Sequence, residues 1–527
     1  MFRTTVSKPL ALTGFAPADK PANRTPLKRI VSTFLDKLNW GKRTYAVLVL
    51  CAAAAIALPA QSFTTLHSFD GTNGENPIAG LVQATDGDLY GTTVGGGTDF
   101  GGTVFQITPR GKLTTLYNFC TQTGCSDGDQ PNAGLIQATN GDFYGTAYGG
   151  GAQGWGAVFR LTPGGTLTTL YSFCAQTGCT DGETSYAGLI QASNGDFYGT
   201  TPYGGANSSS DCSDFNPLTG CGTVFKITPN GTLTTLYNFC AQSGCTDGNG
   251  PTAGLIQAGN RDFYGTTVGG GAHLSGSVFQ IAAQGKLTTL YSFCALSSCA
   301  DGAFPRAGLI YATNGNLYGT TESGGAYGGG TVFKITSKGR LTTLYSFCPK
   351  SGCPDGDYPE AALIQGTDGN FYGTTRYGGA NGNYGTVFKI TPSGTLTTLY
   401  SFCAQSGCVD GAGPYAGLIQ ATNGDFYGTT LVGGASNEGT VFSLSVGLGP
   451  FVETQATSGA VGATVKILGT DLTGATSVSF NGTAAAFTVV SPSLITTTVP
   501  PGATSGKVEV VTPSGTLLSN VPFRVLP

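Results

Sequence analysis

A segment of fourteen residues recurs seven times along the chain and constrains its fold more than any other feature. The third copy, residues 188–201, reads GLIQASNGDFYGTT, in which two short apolar runs flank Asn194-Gly195, a dipeptide typical of tight hairpin turns. The copies begin at Gly80, Gly134, Gly188, Gly254, Gly308, Ala362 and Gly417. They are 54 residues apart, except for a step of 66 after Gly188 and one of 55 at the end. A period of this length indicates a repeat architecture.

Each repeat supplies four β-like segments separated by turn residues. In the second repeat these segments are AGLIQAT, DFYGTA, GAVFRLT and LTTLYSF, which begin at Ala133, Asp142, Gly156 and Leu167. A repeat of 54 residues leaves no room for a helix of ordinary length beside them. Four antiparallel strands repeated around a ring make a β-propeller, so we expect an all-β protein with a seven-bladed β-propeller.

The order of the segments predicts how the ring closes. Segments like LTTLYSF begin at Phe63, Leu113, Leu167, Leu233, Leu287, Leu341 and Leu396. The repeat region therefore starts with a fourth strand, at residues 63–69, and ends with a third strand near Leu444. We expect residues 63–69 to pair with residues 439–444, which would leave no exposed sheet edge. An open solenoid is the alternative, but it needs polar caps that the sequence does not offer.

The first 60 residues predict export. Residues 1–43 hold nine Lys or Arg and two Asp, and the apolar segment AVLVLCAAAAIALPA follows at residues 46–60. This segment has the length of a signal-peptide core and is short for a membrane span. We expect cleavage after Ala60, with an uncleaved leader acting as a membrane anchor as the alternative.

The cysteines outside the leader form close pairs. We predict a disulfide within each pair, because an exported protein meets an oxidising compartment. Zinc is the alternative ligand for such thiols, but each repeat offers only two, and the chain has only His67 and His273. The pairs are Cys120–Cys125, Cys174–Cys179, Cys212–Cys221, Cys240–Cys245, Cys294–Cys299, Cys348–Cys353 and Cys403–Cys408.

The charge balance argues against nucleic acid as a partner. Of the 25 basic and 29 acidic residues in the chain, 16 basic and 27 acidic residues lie beyond residue 43. This acidic body would repel a polyanion.

The repeats resemble the GloVer tandem-repeat family. The family's pattern is FYGTT, a glycine run and GTVF, seen here at residues 371–375, at Gly378-Gly379 and at residues 385–388. The resemblance covers roughly residues 61–446. It implies an exported bacterial protein, and it supplies no catalytic residue and no cofactor.

The period stops at Pro450, and a second domain is expected from there. Segments such as VKILGT, SVSFNGT and VPPGATSG alternate apolar and polar residues at intervals of about ten, which predicts an Ig-like β-sandwich. They resemble an IPT/TIG domain, which implies a spacer or adhesion module. The predicted domains are thus a leader at 1–60, the propeller at 61–447 and the Ig-like domain at 448–527.

Few residues suggest catalysis. His67 replaces a tyrosine of the LYSF motif and is interpreted as a packed substitute, and His273 has no acid or nucleophile fixed beside it by spacing. An Asp-Gly pair follows each C-x4-C motif, for example at Asp127, and is interpreted as an Asx turn rather than as part of a ring of cation ligands. We predict no catalytic residue, metal or cofactor.

We expect any ligand to bind on the face that carries the glycine-rich loops between the second and third strands. In a propeller the C-x4-C loops and the insertion at residues 207–221 share that face, and loops on a rigid scaffold usually carry function. The candidate binding residues are Phe100, Trp155, Tyr203, His273, Glu322, Tyr327, Arg376, Tyr377 and Tyr384. The predicted function is an exported or cell-surface binding and adhesion protein for extracellular polysaccharide or protein. The alternative is a secreted propeller enzyme, a glycosidase or lyase, acting on extracellular polymer.

Overall fold

Strands make up nearly all the regular structure in the computed structural model, which describes residues 61–209, 212, 220–259 and 261–527. The predicted leader at residues 1–60 lies outside the described residues. In the described part, the helices are short 3-10 turns at Thr123–Cys125, Thr177–Cys179, Ser243–Cys245, Ser297–Cys299 and Ser406–Cys408. None of the described helices has the length and apolar character needed to cross a membrane.

Seven four-stranded antiparallel sheets follow one another along the repeats. Strand β1 (Ser62–Ser68) belongs to the seventh sheet. Sheet 1 contains β2 (Val82–Gln83), β3 (Leu89–Thr93), β4 (Thr103–Ile107) and β5 (Leu113–Asn118). Sheet 2 contains β6 (Ile136–Gln137), β7 (Phe143–Ala147), β8 (Ala157–Leu161) and β9 (Leu167–Ser172). Sheet 3 contains β10 (Ile190–Gln191), β11 (Phe197–Thr201), β12 (Thr223–Ile227) and β13 (Leu233–Asn238). Sheet 4 contains β14 (Ile256–Gln257), β15 (Phe263–Thr267), β16 (Ser277–Ile281) and β17 (Leu287–Ser292). Sheet 5 contains β18 (Ile310–Tyr311), β19 (Leu317–Thr321), β20 (Thr331–Ile335) and β21 (Leu341–Ser346). Sheet 6 contains β22 (Ile364–Gln365), β23 (Phe371–Thr375), β24 (Thr386–Ile390) and β25 (Leu396–Ser401). Sheet 7 contains β26 (Ile419–Gln420), β27 (Phe426–Thr430), β28 (Thr440–Ser445) and β1.

The first strand of each sheet is shorter than the sequence predicts. The segment AGLIQAT contributes only Ile136 and Gln137 to a ladder. Its Ala-Gly step bonds to a neighbouring sheet instead, because Ala133 O accepts a hydrogen bond from Thr92 Oγ1 in the preceding repeat at 3.1 Å. The pattern of alternating residues could not reveal this change of partner.

Strand β1 joins the last sheet as the sequence predicts. It pairs antiparallel with β28, with Phe63 opposite Leu444 and Ser68 opposite Thr440. The two ends of the repeat region are therefore hydrogen-bonded to each other.

Equivalent hydrogen bonds link each sheet to the next, including the last to the first. The threonine at the fourth position of each FYGTT-like strand donates to the alanine carbonyl of the following repeat. The final bond of this series runs from Thr429 Oγ1 to Ala79 O at 3.2 Å, across 350 positions of sequence. A second link joins Thr422 N to Gln83 Oε1 at 2.9 Å. The seven sheets thus form a propeller-like arrangement.

Glycines let the sheets approach closely around the middle of the arrangement. A methyl group added to Gly134 would lie 2.9 Å from Gly80 O, and one added to Gly417 would lie 2.8 Å from Ala362 O. Real side chains avoid such contacts, so the Ala-Gly step needs glycine where the neighbouring backbone is nearest.

The hydrophobic core lies between adjacent sheets. Each cluster combines the tyrosine of one FYGTT-like strand and the valine of its GTVF strand with the phenylalanine or leucine of the next sheet's FYGTT-like strand and the phenylalanine of its GTVF strand. Both faces of these strands are therefore buried, as their apolar residues predict. The cluster between the last and first sheets contains Phe69, Phe105, Ile107, Tyr427 and Val441. All five side chains are buried.

All seven predicted cysteine pairs are disulfide-bonded.

The aspartate after each C-x4-C loop does not form the predicted Asx turn with the residues that follow it. Its carboxylate instead accepts hydrogen bonds from residues that precede it. Asp127 accepts from Tyr117 Oη at 2.8 Å and from the backbone N–H of Gln122 at 3.2 Å. In the repeat without cysteines, His67 and Asn73 replace this Tyr–Asp pair, with Asn73 Nδ2 3.2 Å from His67 Nε2.

The C-terminal residues form two further four-stranded sheets around a separate core. Val465, Ile467, Phe480, Ile495 and Val510 are among its buried side chains. One sheet contains β29 (Glu453–Thr454), β31 (Thr464–Leu468), β34 (Phe487–Ser491) and β35 (Leu494–Thr498), and the other contains β32 (Ser477–Phe480), β33 (Thr483–Ala485), β36 (Val508–Thr512) and β37 (Gly515–Leu518). Strands β30 (Ser458–Ala460) and β38 (Arg524–Leu526) form a parallel pair.

The C-terminal sheets contact the hairpin turns that join the first two strands of several repeats. Ser493 Oγ donates to Thr85 O at 2.9 Å, and Gln455 Nε2 donates to Ala138 O at 3.1 Å. Phe451 N donates to Thr422 O at 2.9 Å. The C-terminal domain therefore lies against the end of the first strands that carries these turns.

Candidate binding site at the rim of the central cavity

A cavity of about 650 Å³ is lined by all seven repeats. Every repeat contributes its Ala-Gly step, or Ala361-Ala362 in the sixth, together with the residue before it. We call these preceding residues the rim residues: Ile78, Asn132, Tyr186, Thr252, Arg306, Glu360 and Tyr415. They lie at the opposite end of the first strands from the turns that contact the C-terminal domain, because each precedes its strand. The cavity is within the size range of small-ligand sites.

Two adjacent repeats place a pair of opposite charges at the rim. Arg306 forms an ion pair with Glu322, the residue that follows the LYGTT strand of the same repeat. In the next repeat the charges are exchanged, and Arg376 Nη1 lies 3.3 Å from Glu360 Oε1. The Glu360 side chain is only 4% exposed, whereas the arginines are about a third exposed. Each pair thus places one residue in the cavity lining, Arg306 in the first pair and Glu360 in the second.

Tyrosines surround these charges. The guanidinium carbon of Arg376 lies 5.0 Å from the ring centre of Tyr377 and 5.2 Å from that of Tyr415, both within cation–π range. Tyr148 and Tyr186 pack with ring centres 4.8 Å apart. Tyr186 is 38% exposed. The rim therefore offers flat aromatic surfaces next to fixed donors and acceptors.

Burial shifts the pKa of several rim groups. It raises the pKa of Glu360, and Arg376 opposes this shift through its positive charge. Burial, together with the nearby Glu360 carboxylate, raises the pKa of Tyr415 to about 12. The tyrosine hydroxyls stay protonated at neutral pH and can donate hydrogen bonds.

Glu183 is a buried carboxylic acid close to the rim. Its backbone N–H donates to Tyr203 O at 3.0 Å, and Tyr203 lines the cavity. Burial, followed by the effect of Asp181, raises the pKa of Glu183 to about 7. Its Oε2 atom has no hydrogen-bond partner among the described residues. Glu183 itself is not part of the cavity lining.

The nine residues predicted from the sequence fall into two groups. Tyr203, Glu322, Arg376 and Tyr377 lie at or beside the rim. The other five lie further along the glycine-rich loops, where Trp155 is half-buried and Phe100 is 78% exposed. This second group is Phe100, Trp155, His273, Tyr327 and Tyr384.

Sequence reasoning missed the rim residues Tyr186, Arg306, Glu360 and Tyr415, and also Tyr148. The signal that was available is positional: the residue before Ala-Gly is of six different types in the seven repeats, although its neighbours are nearly constant. The glycine-rich loops do share a face with the C-x4-C loops, as predicted. Gly151 N donates to Cys125 O at 2.9 Å, and Gly271 N donates to Cys245 O at the same distance.

The insertion in the third repeat brings four cysteines together. The sulfur atoms of Cys212, Cys221, Cys240 and Cys245 all lie within 4.8 Å of one another. The sequence-based reasoning that no repeat offers more than two thiols is wrong at this one place, because the insertion adds a second pair beside a C-x4-C pair.

Comparison with known protein structures finds distant matches. A fungal alcohol oxidase of the AA5 family in complex with copper is 12% identical, with 89% of this chain and 100% of that chain covered and a TM-score of 0.45. A protein from Bacteroides uniformis assigned as a 6-phosphogluconolactonase is 18% identical, with 61% and 84% covered and a TM-score of 0.38. An auxiliary nutrient binding protein from Bacteroides thetaiotaomicron is 12% identical, with 73% and 76% covered and a TM-score of 0.39. No curated protein matches the sequence.

Family models match most of the chain. The model of the Gloeobacter/Verrucomicrobia repeat matches residues 54–221, 212–365 and 296–486, and that of the IPT/TIG domain matches residues 451–525. These matches cover the seven four-stranded sheets and the two C-terminal sheets described above. The chain therefore belongs to the Gloeobacter/Verrucomicrobia repeat family and carries an IPT/TIG domain after its repeats.

Proposed function

We propose that the chain is an exported binding protein that holds a neutral polysaccharide at the rim of its central cavity without cleaving it. Its repeats at residues 61–447 are the blades of a closed seven-bladed β-propeller, and residues 448–527 are an Ig-like β-sandwich. The observation that carries the proposal is the convergence of Tyr186, Tyr415 and two Arg–Glu pairs at one end of the cavity.

The chemistry of the rim fits a sugar. The apolar C–H face of a pyranose packs on an aromatic ring, and aromatic rings bury large areas at low entropic cost. Pairs of neighbouring hydroxyls match the forked donors of arginine and the two oxygens of a carboxylate. The rim charges cancel in pairs, and the body of the protein is acidic, so a neutral glycan is favoured over an acidic one.

Export is supported by the seven disulfides, which form in oxidising compartments. The C-terminal domain suits a spacer, because its contacts to Thr85, Ala138 and Thr422 are at the turn end of the first strands. This position leaves the rim free to face a polymer.

The arrangement favours binding over catalysis. Glu322 and Glu360 are each ion-paired with an arginine, so both carboxylates are engaged in holding a guanidinium group. Glu183 has the pKa of a general acid but does not line the cavity. A glycosidase needs two carboxyl groups on opposite sides of one bond, and the rim carboxylates are instead engaged as anchors.

A glycan array with the full chain tests the proposal, followed by calorimetric titration of any neutral glycan that binds. Tyr186→Ala and Tyr415→Ala should each weaken binding about fivefold, since stacking on one aromatic ring is worth on the order of 1 kcal/mol. Phe100→Ala and Tyr327→Ala, exposed loop aromatics, are the matched controls. Unchanged affinity in both rim variants would contradict the rim as the site. Weaker binding in Trp155→Ala and Tyr377→Ala would show that the binding site extends to the residues predicted from the sequence. Cleavage of the bound glycan would contradict the non-enzymatic function.

A further inference from the structure

We propose that Cys212, Cys221, Cys240 and Cys245 form a redox-gated zinc site, which holds two disulfides when oxidised and one zinc ion when reduced. The observation is the approach of all four sulfur atoms to within 4.8 Å of one another. Four thiolates around a tetrahedral zinc ion lie about 3.8 Å apart at Zn–S distances of 2.3 Å. Small shifts in the two pairs therefore suffice to form the site.

The position of the four cysteines suits a closed structural site. Cys221 and Cys245 are buried, and Cys212 and Cys240 are half-buried against the same apolar cluster, which contains Phe239. Two of the ligands, Cys240 and Cys245, come from the C-x4-C loop, and the other two are Cys212 and Cys221. Structural zinc sites of this kind use four protein ligands and no water.

The chemistry balances with a dithiol as the reductant. Its thiols reduce the two S–S bonds to four cysteine thiols, and the dithiol is oxidised to its own disulfides. Zinc binding then releases the four thiol protons, and the ion takes their place between the sulfur atoms. Two molecules of a cyclic disulfide, the oxidised form of the dithiol, can reverse the exchange: they take up four electrons and four protons and become dithiols, while zinc is released and the two protein disulfides form again.

The exchange would act on the ligand cavity, because Cys212 is part of its lining. The other five cysteine pairs are isolated C-x4-C bridges, each with two sulfur atoms, and serve as internal controls. A pair of thiolates cannot complete a tetrahedral sulfur shell.

The test is a zinc and cobalt titration of the full chain, reduced under anaerobic conditions with a phosphine that carries no thiol. The wild-type chain and the control variant Cys174→Ser/Cys179→Ser should bind one ion and give the absorption bands of tetrahedral cobalt with four sulfur ligands. Cys212→Ser/Cys221→Ser should lose these bands and bind zinc at least about 100-fold more weakly.

Two results would overturn the proposal. The first is a reduced wild-type chain that keeps its circular dichroism spectrum but gives no tetrathiolate bands, or gives the same bands in Cys212→Ser/Cys221→Ser. The second is loss of the β-sheet spectrum on reduction without recovery when zinc is added, because a structural site should restore the fold.

Discussion

Replacement of Phe69 by alanine tests whether the ring of sheets is closed in solution. Phe69 follows β1, and its backbone N–H donates to Gly439 O at 3.0 Å in the last sheet. Its ring is fully buried and meets the ring of Phe105 in the first sheet edge-on, with centres 5.2 Å apart. The side chain therefore lies in the contact that joins the two ends of the repeat region.

The expected cost is about 3 to 5 kcal/mol of the free energy of unfolding, the usual range for emptying a buried phenylalanine site. Phe239→Ala is the matched control, because Phe239 is equally buried and meets Phe279 at the same 5.2 Å inside the repeat array. In a closed ring the two variants should lose similar stability. In an open stack, Phe69 would belong to a terminal sheet that frays locally at little cost to the rest.

Urea unfolding provides the assay, read by circular dichroism for all sheets and by fluorescence of Trp155, the only tryptophan beyond residue 60. Trp155 belongs to the second repeat, far along the chain from β28. A closed ring predicts that Phe69→Ala lowers the midpoint of both signals together. A wild-type midpoint for Trp155 in Phe69→Ala, with a lowered one in Phe239→Ala, would refute closure.

Three further outcomes follow from the contacts. Glu183→Gln should match the wild type in free energy of unfolding near pH 4.5 and exceed it by about 3 kcal/mol at pH 8. The reason is that the Glu183 pKa of about 7 makes ionisation of this carboxyl costly in the folded state as pH rises. Equal melting temperatures of the two proteins at pH 8 would contradict this. Deletion of residues 61–69 should abolish cooperative unfolding in calorimetry, since β28 loses its partner β1. Gly134→Ala should lower the melting temperature, because the new methyl group would lie 2.9 Å from Gly80 O. Gly164→Ala is the control, because Gly164 also lacks a positive φ and its new methyl group would lie 3.9 Å from the nearest atom, Thr162 Oγ1.

The local part of the fold follows directly from the sequence. Strand positions, turns and disulfide partners depend on residues close together in the chain, and the same local pattern recurs in all seven repeats. The pairing of β1 with β28 joins distant residues, but it is predictable because the count of third and fourth strands leaves one of each without a partner. Periodicity thus carries long-range information wherever a repeat is incomplete.

The rim was only partly predictable, because its residues meet across the ring rather than along a strand. Arg306 and Glu360 are 54 positions apart and belong to different repeats. The glycine-rich loops hold aromatic residues that differ between repeats, which makes them visible in the sequence as a candidate site. The rim position is a single variable residue inside a nearly constant segment. The shortening of the first strand hid it further, since the sequence pattern places Ala133 inside a ladder and the structure places it beside the cavity.

The rim residue and the alanine that follows it have separate roles, which explains why the rim residue can differ between repeats. The alanine next to each rim residue gives its carbonyl to a threonine of the preceding repeat, and this bond is the same in all seven repeats. The scaffold therefore makes no use of the rim side chain, which is Ile78 in one repeat and Arg306 in another. Both ion pairs fall in adjacent repeats, with Tyr415 in the next one. A ligand on the axis, such as a symmetric ion, would meet rim groups of six different types. A chain molecule lying across one side of the rim would meet this charged and aromatic sector, and that asymmetry favours a polymer over an axial ion.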